Sequence, residues 1–192
     1  MGVGEPFDNY ENLIRFLDII HHEQGMNLSL RNITVSTCGI VPKLLEFGRD
    51  MPQVTLAISL HAPNDSLRGR LMPINRKYSM AELMSACRQY VKATNKRITF
   101  EYILIDGVND SKKQAEELAA LLKGHLCHVN LIPFNGVYGN EFRNPSSRAC
   151  EEFRSVLEKH KIESTVRREL GSDIDGACGQ LRRRRKLDNE TP

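Results

Sequence analysis

A chain of 192 residues, 40% of them hydrophobic, can bury a core of ordinary size, and a single domain is the expectation. No apolar run approaches a membrane span, no basic-then-apolar leader opens the chain, and five cysteines without framework spacing argue against a disulfide scaffold, so the sequence reads as cytosolic. The net charge of +3 is local: residues 182–186 are all basic, Asp188 and Glu190 offset two of those charges, and residues 1–181 balance to zero, so any nucleic-acid affinity must come from patches and from the 182–192 tail, expected to be disordered.

The opening, Met1-Gly-Val-Gly-Glu-Pro6, has the character of a strand exit with no strand before it, which suggests a chain that begins inside a longer polypeptide. Asp8 is placed to cap a helix with Leu13, Phe16, Leu17 and Ile20 on one face and Gly25 at its end. Residues 32–37 read as a short strand, and Pro42 suits the first turn of a helix carrying Leu44, Leu45 and Phe47. Residues 54–60 are almost continuously apolar, as in a strand covered on both faces of a parallel sheet. Residues 61–78 read as a long loop with Arg68, Arg70, Arg76 and Lys77. Ser79 and Glu82 form a capping box for a helix with Met80, Leu83, Met84, Cys87 and Val91 inward. A strand over 98–105, a helix capped by Ser111, a strand over 128–132, a helix capped by Ser146 or Ser147 and a last strand over 162–166 complete the pattern. Strands alternating with helices mean parallel strands joined by helical crossovers, in a barrel or an open α/β sheet. No Gly-x-Gly-x-x-Gly turn or phosphate-loop Lys motif is present.

In such folds chemistry gathers where strands end. Gly4 and Glu5 stand there, with Ser36 and Thr37, Ser59 and His61, Asp106 and Asn109, Asn135, and Arg167 and Arg168. Each has a plain structural reading: Glu5 as a helix cap, Ser36 bonded to a turn, Asn135 in an Asx-turn, His61 as a satisfied loop histidine. Together they describe the mouth of a polar ligand site. Residues 171–181 place Cys178 among Gly, Ser and Asp, where a thiol is either inert and packed or reachable and reactive. No Cys-x-x-Cys occurs, so the chain itself shows no metal site.

Met1-Gly-Val-Gly-Glu-Pro6, Val35-Ser-Thr-Cys-Gly39, Ser59-Leu-His-Ala-Pro-Asn-Asp65, Leu71-Met-Pro-Ile-Asn75, Ile132-Pro-Phe-Asn135 and Gly176-Ala-Cys-Gly-Gln-Leu181 follow one another in order. This set closely resembles the radical S-adenosylmethionine methyltransferases of the bacterial RlmN family, which methylate adenine C2 in 23S ribosomal RNA and some transfer RNAs. The resemblance implies an α/β fold, a partial radical-SAM (β/α)6-type barrel missing its first strands. It implies that Gly4 and Glu5 hold the amino group of S-adenosylmethionine, that Ser36, Ser59, Leu60, His61 and Asn135 line the rest of that site, and that Cys178 is the methyl carrier. A first cofactor would methylate its sulfur, and a second would yield the radical that activates the methyl group for addition to adenine.

Family members carry a Cys-x-x-x-Cys-x-x-Cys motif for a 4Fe-4S cluster, and that motif is expected upstream of Met1. Residues 1–181 would then be the C-terminal part of the radical-SAM core, and the fragment alone would be inactive. The implied partners are 23S rRNA, tRNA and an electron donor such as flavodoxin, with no membrane and a monomeric chain. Arg68, Arg70, Arg76 and Lys77, on a strand-exit loop at the mouth, are the candidates for contact with RNA phosphates, and ordinary surface charge is the competing reading. Three rival readings are a C8-methylating relative, a non-catalytic RNA-binding module and an unrelated barrel for a phosphorylated metabolite. Cys38 reads as a strand-end cysteine, and Cys87, Cys127 and Cys150 as packing residues.

Overall fold

The computed structural model describes residues 4–135 and 142–167. Five strands, β1 (Thr34–Thr37), β2 (Thr55–Ser59), β3 (Ile98–Leu104), β4 (Cys127–Pro133) and β5 (Ser164–Val166), lie in sequential order in one sheet. Every pairing is parallel, as alternation with helices requires. The helices are α1 (Tyr10–His21), α2 (Val41–Asp50), α3 (Asp65–Leu71), α4 (Met80–Thr94), α5 (Lys112–Leu122) and α6 (Ser147–Lys159).

Side-chain alternation divides the sheet into two faces. On one face Leu56 and Ile58 of β2, Phe100 and Tyr102 of β3, and Val129 and Leu131 of β4 are buried, packed with Leu44 and Phe47 of α2, Leu83 and Tyr90 of α4, and Phe153 of α6. The other face is polar. Parallel register aligns Ser36 with Ala57, Ala57 with Thr99 and Thr99 with His128 in one row, and Ser59 with Glu101, Glu101 with Asn130 and Asn130 with Thr165 in the next.

Local signals account for the helix boundaries. Ser79 with Glu82 and Ser111 with Gln114 form reciprocal capping boxes, each satisfying two orphan N–H groups, and Ser146 caps α6 through the Ala149 amide. The α2–α4 pair packs tightly at Gly48, where a Cβ would lie 2.9 Å from the Tyr90 ring.

The structure corrects three expectations. Asp8 lies inside a 3-10 turn (Pro6–Asn9) capped by Glu5, and α1 starts only at Tyr10. Phe16 is 56% exposed, because the buried stripe of α1 runs through Tyr10, Leu17 and Ile20 instead. Residues 61–78 hold α3 and a second 3-10 turn (Pro73–Arg76), since Asn64 accepts the Leu67 amide at 3.0 Å and nucleates a helix between the prolines.

Candidate cofactor site

The N-terminal segment is fastened to the C-terminal end of β1. Phe7 packs on Phe47 and Tyr10, with ring centroids 5.3 and 5.8 Å apart, and the Tyr10 hydroxyl donates to Asp50 at 2.8 Å. This fixes Glu5, whose Oε1 accepts from the Thr37 hydroxyl at 2.6 Å and the Phe7 amide at 3.1 Å, while Oε2 accepts from the Cys38 amide at 2.7 Å. Glu5 is therefore a cap, and it also crosslinks the opening segment to β1. A carboxylate has about four acceptor positions, so three bonds leave capacity for one more donor, such as an ammonium. Gly4 beside it has φ +108°, a backbone conformation that only glycine adopts readily, and open space where a Cβ would point.

Arg68 is not a surface cation. Its side chain is 0% exposed, although its residue type and its place after β2 suggested contact with phosphate. Nη2 donates to the carbonyls of Cys38 at 2.7 Å and Ser59 at 3.3 Å, Nε to that of Leu60 at 3.3 Å, and Nη1 to the Asn75 Oδ1 at 3.0 Å. Asn75 in turn donates to the Asp65 carboxylate at 2.8 Å, which gives the buried cation an anion one side chain away. Desolvation lowers the Arg68 pKa from its ordinary value. The guanidinium thus joins the ends of β1 and β2. Arg70, Arg76 and Lys77 remain exposed.

His61 follows β2 with φ +58° and is partly exposed. Its Nδ1 accepts the Ile103 amide at 3.1 Å, which leaves the neutral ring's proton on Nε2. Burial, and then the nearby Arg68 charge, push its pKa down to about 4, in keeping with an Nδ1 that already serves as an acceptor. Its carbonyl accepts from Asn109 at 2.9 Å, and Asn109, fully buried, also bonds the Ile103 carbonyl and the Ile105 amide. Asn109 shapes the loop after β3 and offers nothing to a ligand.

Ser36 and Ser59 both stand on the polar face. Leu60 is buried, and its amide and carbonyl are bonded to the Glu101 carbonyl and to Arg68, so it spaces Ser59 from His61. Asn135 leaves β4 partly exposed, just after the Phe134 amide bonds the Leu104 carbonyl at 2.8 Å. Gly4, Glu5, Ser36, Ser59, His61 and Asn135 are thus at or beyond the C-terminal halves of the strands. Sequence reasoning overlooked Glu101. It lies in the middle of β3 between Ser59 and Asn130, with the Ser36 hydroxyl 3.5 Å from its Oε2. Desolvation raises its pKa above the usual carboxylate value, partly opposed by Arg167. The signal was the alternation Ile98-Thr-Phe-Glu101, an acid at the centre of a strand with one apolar face.

Cys38, desolvated and bonded near Glu5, has its pKa pushed up to about 12, and burial raises Cys87 to about 12 and Cys127 to about 11. Cys87 and Cys150 are buried packing residues, and Cys127, partly exposed, packs against the same core. Cys178, its loop and the basic tail lie outside the described residues. Among the described residues no group of three His, Cys, Asp or Glu side chains could hold a metal ion, so these residues do not fit a 4Fe-4S cluster and no step is assigned to one. No described helix is long and apolar enough to cross a membrane.

A parallel α/β sheet with a polar face and a Gly-Glu segment bonded at the end of its first strand is what a radical SAM core presents, and the superfamily's sequence profile matches residues 1–121. The chain belongs to the radical SAM superfamily. Within it, the chain is 57% identical over 183 residues to a "Probable dual-specificity RNA methyltransferase RlmN" of Clostridium novyi, covering 95% of this chain and 53% of the relative. A relative of the same name from Desulforamulus reducens is 53% identical, with 98% and 54% covered. A crystal structure of a radical SAM methyltransferase from Sphaerobacter thermophilus superposes with a TM-score of 0.91 at 54% identity, over 94% of this chain and 53% of that one. A domain of pyruvate-formate lyase-activating enzyme from Bacteroides vulgatus, 18% identical with a TM-score of 0.64, shares the fold. The chain spans about half the length of the curated relatives it matches.

Proposed function

We propose that this chain is the cofactor-binding part of an RNA methyltransferase that moves a methyl group from S-adenosylmethionine to adenine C2 in 23S ribosomal RNA and certain transfer RNAs. The observation that supports this most is convergence. In a chain 57% identical to a relative named for RNA methylation, Gly4, Glu5, Ser36, Ser59, His61 and Asn135 gather on one sheet face and its C-terminal rim. S-adenosylmethionine fits this donor set. Glu5 has remaining acceptor capacity for an ammonium, the two serines and His61 Nε2–H serve polar groups, and Glu101 is a carboxylate with a single long hydrogen bond among the described residues.

When bound, the cofactor supplies the methyl group and the radical chemistry that a poorly nucleophilic carbon such as adenine C2 demands. The protein's share is position and exclusion of water. Glu5 orients, the bonded ends of β1 and β2 hold Ser36 and Ser59, and His61 stays neutral above its lowered pKa and keeps Nε2 as a donor. Cys178 is the thiol that carries the methyl group to the base. The target adenine has to leave its stack to reach this rim, and exposed Arg70, Arg76 and Lys77 suit contact with the flanking phosphates.

The test uses the full gene product, purified anaerobically with its cluster reconstituted, incubated with a 23S rRNA fragment and with tRNA. Nucleoside mass spectrometry is expected to find 2-methyladenosine, and none with Cys178→Ala. A product of 8-methyladenosine would overturn the C2 assignment. Absence of any methylated adenosine from the reconstituted enzyme would overturn the function.

A further inference from the structure

Glu101 is a charge that the fold leaves underemployed. It sits on the polar face of the central strand, partly buried, in parallel register with Ser59 on one side and Asn130 on the other. Strand alternation directs these three side chains to the same face, and Ser36 of β1 reaches toward them. Among the described residues the carboxylate accepts one bond, the 3.5 Å contact from the Ser36 hydroxyl, and no cation pairs with it directly. Arg167 acts on it only as a charge at longer range. A carboxylate withdrawn from water normally recovers the loss through several strong hydrogen bonds. Here the described residues leave most acceptor positions open, between two serine hydroxyls and an amide.

Resting on the cofactor reading above, we propose that Glu101 accepts both hydroxyls of the adenosyl ribose, with Ser36 and Ser59 flanking the diol. A vicinal diol presents two adjacent O–H donors, and a carboxylate presents two adjacent acceptors, so one side chain satisfies both. The amino end of the cofactor is directed elsewhere, to Gly4 and Glu5 beyond the end of β1. The position also suits what the strand can deliver. Glu101 is held by main-chain pairing on both sides, and its own carbonyl accepts the amides of Leu60 and His61 at 3.0 and 3.2 Å, so the carboxylate sits on an immobile stem.

Calorimetric titration of the full gene product with S-adenosylhomocysteine, which lacks the sulfonium charge, separates diol recognition from attraction between opposite charges. Glu101→Gln should weaken binding about tenfold or more, and the wild type should bind the 2′,3′-dideoxy analogue weaker by a similar factor. The two losses should not add: Glu101→Gln and wild type should bind the dideoxy analogue within about twofold of each other. Equal wild-type affinity for both ligands overturns the assignment even if the variant fails to fold. So does a Glu101→Gln loss that persists with the dideoxy analogue. If the wild type binds neither ligand, the cofactor reading itself fails, which is a different and recognisable result.

Discussion

Replacing Arg68 with Met tests whether the buried guanidinium holds the rim together. Methionine keeps much of the side-chain volume and removes every donor. The carbonyls of Cys38, Ser59 and Leu60 and the Asn75 amide oxygen then lose partners now 2.7 to 3.3 Å away. At about 1 kcal/mol net per hydrogen bond the loss is about 4 kcal/mol, reduced because the variant no longer desolvates a cation. A net destabilisation of about 3 kcal/mol corresponds to a fall in Tm of roughly 6–12 °C for a chain of this size. Urea and thermal unfolding of Arg68→Met, Arg68→Lys and the exposed control Arg70→Ala measure it. Lysine should recover part of the loss, and Arg70→Ala should stay within about 0.5 kcal/mol of wild type. An unchanged Tm for Arg68→Met, with weaker RNA binding and a shallower salt dependence, would refute the reasoning and restore Arg68 as a phosphate contact.

Gly39→Ala should cost about 1–3 kcal/mol in unfolding experiments, because φ is +93° and the added Cβ would lie 2.8 Å from Leu83 Cδ1. His61 has a folded-state pKa of about 4 against an ordinary value near 6.5, so its contribution is complete above about 6.5 and lost as pH falls toward 4. The stability of wild type relative to His61→Asn, from urea midpoints, should therefore decline through that window; a flat difference would show that the ring titrates normally. Cys38, held protonated by a pKa near 12, should be alkylated by iodoacetamide at pH 8 at least about a hundredfold more slowly in the native protein than after unfolding, read peptide by peptide in mass spectrometry.

The elements set by local chemistry were legible in the sequence. Ser79-Met-Ala-Glu82 and Ser111 announced helix starts, because each rests on contacts between near neighbours, and the apolar run at 54–60 announced a strand. The resemblance to the RlmN family named Glu5, Ser36, Ser59 and His61, but not what holds them. Arg68 was misread because nothing within a few residues tells a cation on a loop from one folded beneath it. Its partners Cys38 and Ser59 are 30 and 9 residues away, and they meet only once β1 and β2 pair. Glu101 was missed for a related reason. The run 98–105 reads simply as a strand, and a shared polar face becomes visible only when register aligns Ser59 and Asn130 with the acid.

The same long-range bonds explain how a rim built from several loops can act as one surface. Cys38 gives its amide to Glu5 and its carbonyl to Arg68; Arg68 also takes the carbonyls of Ser59 and Leu60. The amides of Leu60 and His61 both go to the Glu101 carbonyl, the His61 ring takes the Ile103 amide, and its carbonyl takes Asn109. From Glu5 to Asn109 the path crosses the ends of three strands, and every link has a main-chain atom at one end at least. A ligand meeting this rim would have little of it left to order, so the hydrogen bonds proposed for Glu5, His61 and Glu101 would appear largely as affinity. Loosening any member should weaken all three proposed contacts together, and for Arg68→Lys that means a lower affinity for S-adenosylhomocysteine from a change at a fully buried residue.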